Sequence, residues 1–158
     1  MEIPVTISEI LHILKAAGIV ARSTDIDIED MGVPHEAPKS LPKGKTAVYM
    51  FFYGNDAVKV GKVGSRSKAR YTSQHYILKS AKSSLANSIV KEGVSFELTS
   101  DEKADPSGWI KSNTRRINIL IDVQLGPNAL NLIEAFMIAK LNPTFEGYNS
   151  QRLPKPQR

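Results

Sequence analysis

The stretch TAVYMFFYGNDAVKVGKV, residues 46–63, decides the fold. Thr46 to Tyr53 and Ala57 to Val63 are rich in β-branched and aromatic residues, which suit a pleated and partly buried surface. The GNDA at 54–57 carries hairpin turn chemistry, so two antiparallel strands are expected. Tyr49 and Lys59 are an even number of residues apart. They can be close across the hairpin, but counting alone does not fix whether they share a face, because a one-residue slip moves every side chain to the other side.

Working outward from the hairpin, the next segment is basic. From Ala57 to Lys91 there is no Asp or Glu, while Lys59, Lys62, Arg66, Lys68, Arg70, Lys79, Lys82 and Lys91 all fall there. One helix is expected to begin near Ser65 and pass through Arg70 and His75. A second is expected from about Ser80 to Glu92, where Gly93 stops it. The polar TSDEKADPSG (99–108) reads as a loop, Trp109 to Asn113 as a helical turn with Trp109 in the core, and RINILIDV (116–123) as a third strand, buried on both faces at its centre. Pro127 then opens a helix, PNALNLIEAFMIAKL, which Asn142 and Pro143 close. The tail QRLPKPQR is polar, basic and expected to be mobile.

On the other side of the hairpin, Thr6 to Ala17 reads as a helix. Thr6 and Glu9 have the spacing of a capping box, Ile7, Ile10, Leu11 and Leu14 form one face, and Gly18 ends it. Between Ser23 and Pro38 the charge reverses: Asp25, Asp27, Glu29, Asp30 and Glu36 occur with no Lys or Arg. This segment alternates briefly, as a candidate edge strand, and then fills with Pro and Gly as a linker. Its acids do not make an EF-hand loop, because the sixth position, where that loop turns on glycine, is Asp30. The expected organisation is residues 1–42 as an N-terminal helix, acidic segment and linker, 43–150 as the principal domain, and 151–158 as the tail.

The 158 residues suffice for one domain with a real core. The absence of cysteine excludes thiol nucleophiles, disulfides and thiolate zinc sites. The first residues lack a signal-peptide pattern and no run approaches the roughly 18 apolar residues of a membrane span, which points to a cytoplasmic location. A formal charge of +5, concentrated after the hairpin, favours a polyanionic partner.

One carboxylate is in an unusual place. Between Val123 and Ala139 the only charged residue is Glu134. At about 100° per residue it shares a helix face with Leu130, Met137 and Leu141, while Leu132, Phe136 and Ala139 make the opposite face apolar, so the helix reads as buried nearly all round. An ionised carboxylate there needs compensation by an arginine, a lysine or a metal.

Taken together, these pieces resemble the GIY-YIG nuclease superfamily. Ala47-Val48-Tyr49 stands where that family has Gly-Ile-Tyr on its first strand, and Lys59-Val60-Gly61 where it has Tyr-Ile-Gly on the second. Arg70 matches the arginine that the family uses against the scissile phosphate, His75 stands near its frequent His or Tyr, and Glu134 matches its metal-holding glutamate. LNPTFEGYN (141–149) is similar to the closing Pro and Asn, with Asn149 in the Asn position. The match covers about residues 45–150. Three departures are Ala47 for glycine, Arg70 nine residues after Gly61, and Lys59 for the second tyrosine.

In fold, the resemblance implies an α+β domain with a small three-stranded antiparallel sheet flanked by helices. In function, it implies a divalent-metal-dependent endonuclease that hydrolyses phosphodiester bonds in DNA, with Mg²⁺ (or Mn²⁺) as cofactor. Tyr49 would take a proton from the attacking water, Arg70 would contact a phosphate oxygen, and Glu134 would hold one metal ion near the leaving group. A free tyrosine is only about 0.1% ionised at pH 7, so Tyr49 would need nearby cations, and Lys59 is placed to supply one. His75 reads as phosphate donor, water-positioning group or ordinary surface residue. Lys62, Arg66 and Lys68 would contact the backbone, Tyr71 and Tyr76 would stack on bases or pack the helix, and Asn149 would buttress the site. His12 and His35 read as structural or solvent-facing. Two other readings stay open: a binding module of the same fold without turnover, and a structural domain in which Glu134 pairs with Arg70. A homodimer is compatible with cutting both strands.

Overall fold

The computed structural model describes residues 2–66, 68–79, 84–91 and 96–145. The hairpin forms from β2 (Lys45–Tyr53) and β3 (Asp56–Val63), which pair antiparallel around Gly54 and Asn55. Gly54 lies at φ +60°, a left-handed conformation that glycine takes without steric cost and that the first position of such a turn requires. Phe52 pairs with Ala57, but Phe51 pairs with Lys59, so Val58 is an extra residue and makes a β-bulge.

The sheet has four strands. β4 (Arg115–Asp122) pairs antiparallel with β2, and β1 (Ile26–Gly32) pairs antiparallel with β4, giving the order β1-β4-β2-β3. The α+β class holds, and the expected three-stranded sheet is corrected by the addition of β1. The acidic alternation explains its place. Ile26 is buried while Asp27, Glu29 and Asp30 are exposed, and charges along a free edge discourage further pairing.

Among the described residues the α-helices are α1 (Ile7–Ala16), α2 (Lys68–Thr72), α3 (Leu85–Lys91), α4 (Ser100–Ala104), α5 (Ser107–Asn113) and α6 (Gly126–Leu141). Strand alternation gives the sheet two different sides. Val48, Met50, Phe52, Val60, Ile117, Ile119 and Ile121 join Ile10 and Leu14 of α1 and Ile133 and Met137 of α6 in an aliphatic core. Ala47, Tyr49, Phe51, Val63 and Leu120 join Tyr71, Tyr76, Leu85, Ile89, Trp109 and Ile110 in a second, more aromatic core.

α1 starts where its capping box places it: Thr6 Oγ1 accepts from the Glu9 N–H and Glu9 Oε2 from the Thr6 N–H, each at 3.1 Å. The Glu9 carboxylate also takes Lys140 of α6 at 2.9 and 3.0 Å, which joins the two helices on the aliphatic side. Three expectations are corrected here. The helix through Arg70 ends at Thr72, whose hydroxyl bonds back to the Lys68 carbonyl at 3.1 Å, and His75 lies in the following turns. The polar loop contains α4, capped by Thr99 and Glu102 in the same Thr-x-x-Glu pattern as α1. α6 is not buried all round: Ala129, Leu130, Ile133 and Met137 face the core, whereas Asn131, Ala135 and Ala139 are exposed, where alanine serves helix propensity rather than burial. The helix ends at Asn142, left-handed at φ 44°, and the next residues reach back to the bulge, with the Thr144 N–H on the Ala57 carbonyl and the Phe145 N–H on the Val58 carbonyl.

Candidate functional site

Tyr49 lies directly opposite Gly61. A Cβ at Gly61 would come within 2.5 Å of Tyr49 Cζ and 2.8 Å of Cε2, so the phenol ring lies over the glycine in space that only glycine leaves open. The ring is 0% exposed, and its hydroxyl oxygen sits 2.7 Å from His75 Nε2.

His75 is fixed at both nitrogens. Its Nδ1 accepts the Leu85 N–H at 3.1 Å, and its own carbonyl takes the Ala86 N–H at 2.9 Å, so the residue satisfies the first turn of α3. With Nδ1 an acceptor, the ring proton belongs on Nε2, which therefore donates to Tyr49 Oη. Burial pushes His75 down to about 2, and the charges of Lys59, Arg116 and Arg70 act in the same direction. The imidazole is neutral across the physiological range.

The hairpin register settles the relation of Tyr49 to Lys59. Lys59 pairs with Phe51, two residues along from Tyr49, so both lie on the aromatic side as diagonal neighbours. Lys59 is 4% exposed. A second buried cation stands beside it, one that the sequence reading missed. Arg116 is 0% exposed, and it donates through Nε to Asn118 Oδ1 at 2.9 Å, through Nη1 to Tyr76 Oη at 3.1 Å and through Nη2 to the Tyr71 carbonyl at 2.7 Å. Its guanidinium carbon is 4.8 Å from the Tyr71 ring centroid, 5.1 Å from Phe51, 5.6 Å from Tyr49 and 5.9 Å from Tyr76. Among the described residues no carboxylate pairs with it, so π faces and neutral acceptors compensate its charge. A signal was available: Arg116 and Asn118 are two apart in an otherwise apolar strand, the period that puts both on one face.

His35 extends this polar layer. Its Nδ1–H donates to the Thr114 carbonyl and its Nε2 accepts the Tyr76 hydroxyl, both at 2.8 Å, so of the two readings of His35 the structural one holds. His12 is exposed. Tyr71 is buried, not a surface platform, and its phenol is pushed up to about 12, first by burial and then by the neighbouring Glu29 carboxylate. Tyr76 is buried as well.

Glu134 occupies the other side of the sheet. Lys62 pairs with Val48 and so belongs to the side on which α6 packs, and its Nζ is 3.7 Å from Glu134 Oε1. Lys62 is thus a cation that meets Glu134. The same ammonium also donates to Asn131 Oδ1, one turn earlier on α6. Lys62 and Glu134 are 39% and 23% exposed at their side chains, so this pair is within reach of water. Arg66, Lys68 and Arg70 are exposed on and just before α2.

The residues singled out in the sequence therefore form two sets. Tyr49, Lys59 and His75 are together and buried, and Lys62 and Glu134 are together and partly open. β3, which lies at a free end of the strand order, separates the sets, with α2 and α6 both packed against it. Asn149, Lys82 and the tail lie outside the described residues. No family model, curated protein or solved structure matches this chain. Among the described residues no helix is long and apolar enough to cross a membrane, and no group of three or more His, Cys, Asp or Glu is placed to hold a metal ion.

Proposed function

We propose that the protein is a metal-assisted endonuclease that hydrolyses phosphodiester bonds in DNA. The observation that carries this reading is the Tyr49–His75 pair: a phenol oxygen held at 2.7 Å by a neutral imidazole N–H, on a face shared with Lys59 and beneath the Arg116 guanidinium. A donor at the oxygen and cations near the ring would work against the cost that full burial sets on a phenolate, as a tyrosine that accepts a proton from water requires. The exposed Arg66, Lys68 and Arg70 would bind the backbone phosphates, and Arg70 would contact the scissile one.

The donor set fits a single hard cation. Glu134 Oε1 and Asn131 Oδ1 already converge on one positive centre, the Lys62 ammonium, and Mg²⁺ commonly binds through one or two carboxylates with water and substrate phosphate completing its shell. Glu134 would hold Mg²⁺ or Mn²⁺ from the opposite side of the edge strand β3; when bound, the ion supplies Lewis-acid stabilisation of the developing phosphate charge, and the scissile phosphate would have to lie across that edge to meet both it and Tyr49.

One observation favours a second reading, binding without turnover: Tyr49 and His75 are 0% and 2% exposed, so substrate does not reach them in this packing. Nicking of supercoiled plasmid and of single-stranded DNA with Mg²⁺ or Mn²⁺ separates the two. Metal-dependent nicks that disappear in EDTA, in Glu134→Ala and in Arg70→Ala, and that fall sharply in Tyr49→Phe, are the expected result. Salt-sensitive binding with no nicks on any substrate or metal would replace the nuclease with the binding module.

A further inference from the structure

We infer that Lys62 is a built-in cation which a divalent ion must displace before it can occupy Glu134, and that the displaced ammonium then turns to a substrate phosphate. The divalent ion and the phosphate both rest on the nuclease reading; the geometry supplies the Lys62 ammonium already held where the ion would bind.

Lys62 Nζ donates to Asn131 Oδ1 and lies 3.7 Å from Glu134 Oε1. Asn131 and Glu134 are three residues apart, so both project from one turn of α6 and present two oxygens to one point. Such a point prefers a cation, and the chain fills it with its own. An ammonium and a hydrated Mg²⁺ would compete for the same carboxylate oxygen and repel each other there. The pair is partly exposed rather than sealed, so the lysine can leave without opening the core. Its four-carbon stem is flexible, and it is rooted on the edge strand β3, against the other side of which α2, with its exposed Arg70, packs through Tyr71. A freed Lys62 would add a fourth positive charge to those of Arg66, Lys68 and Arg70. By linkage, metal and polyanion would then each favour binding of the other.

The test is Mn²⁺ binding, followed by the loss of the free-ion signal in electron paramagnetic resonance, with no nucleic acid present. Wild type, Lys62→Met, Lys62→Gln and Glu134→Gln are compared, with thermal melts to establish that each is folded. An exposed ion pair is worth up to about 1 kcal/mol, so removing the competitor should tighten Mn²⁺ binding by roughly fivefold in Lys62→Met, and in Lys62→Gln should that variant alone remain folded. Glu134→Gln should abolish binding in either background. Binding in the Lys62 variants that is equal to or weaker than wild type, or no Mn²⁺ binding in any protein, overturns the inference. The two readings fail separately. Nicking that persists although Lys62→Met binds no tighter sinks the exchange alone, and tighter binding without nicks on any substrate sinks the nuclease alone.

Discussion

Mild acid should destabilise this protein through His75. The side chain is 2% exposed, its Nδ1 is occupied by the Leu85 N–H, and Lys59, Arg116 and Arg70 surround it with positive charge. A second proton would have to enter on Nδ1, which would break that hydrogen bond and set two donors against each other. The folded value of about 2 lies below the unfolded value near 6.5, so between them the unfolded chain binds more protons. The stability owed to neutral His75 is therefore complete above about pH 6.5 and is lost as the pH falls. Integrated from pH 7 to pH 5, this single group removes about 2 kcal/mol, a large share of the roughly 5–15 kcal/mol typical of a domain. The carboxyls held below their usual range, Asp30 by Arg115 and Glu9 by Lys140, lose their contribution only at lower pH, so they do not enter this window. His35, also pushed down by burial, acts in the same direction as His75. Urea unfolding at pH 7, 6 and 5 is the assay, with His75→Gln as the comparison, because glutamine retains a donor and an acceptor but does not titrate. The wild type should lose about 2 kcal/mol more than the variant over that range. Parallel losses in the two proteins would refute the reasoning.

Two further predictions concern the same layer. Gly61→Ala should destabilise by about 1–3 kcal/mol, since the new methyl meets the Tyr49 ring rather than a movable side-chain end, and an unchanged melting temperature would mean that the ring does not need the space over the glycine. Arg116→Ala should cost on the order of 3 kcal/mol in chemical denaturation, because it leaves a cavity and takes the donor from Asn118 Oδ1 and the Tyr71 carbonyl; a change below about 1 kcal/mol would show that the cage does not need its cation.

The hairpin, the third strand and both long helices were legible because each carries a local signal: GNDA, an apolar run, Thr6 with Glu9, Pro127 with Asn142. What escaped depended on distant partners. The helix after β3 stops early because His75 is drawn inward to Tyr49 and to the start of α3, contacts 26 and 10 residues away that no local pattern encodes. The fourth strand was visible as a candidate, but its place in the sheet depends on pairing with β4, some ninety residues on. A cation was expected beside Glu134 because its helix read as buried all round; Lys62 lies there, but the carboxylate is partly exposed, so burial is not the reason. That Tyr49 and Lys59 share one side of the sheet could not be counted out, because the count across the turn is broken at Val58.

That unpaired residue makes the hairpin tolerant of some length changes and intolerant of others. An unbroken ladder through the same residues would set Tyr49 against Val60 and turn Lys59 into the aliphatic core. A charged group would then be buried among Ile and Met, and a branched side chain would be forced beneath the phenol, so the slipped register excludes itself. Deleting Val58 would regularise the ladder and leave Tyr49 over Gly61, at the cost of its own buried side chain in the aromatic core and of the hydrogen bond that Phe145 makes to its carbonyl. Deleting Val60 instead would bring Lys62 opposite Tyr49 and take it away from Glu134. Two valines two positions apart thus differ in kind: one is a spare link in the chain, and the other keeps two chemistries on their own sides of a single strand.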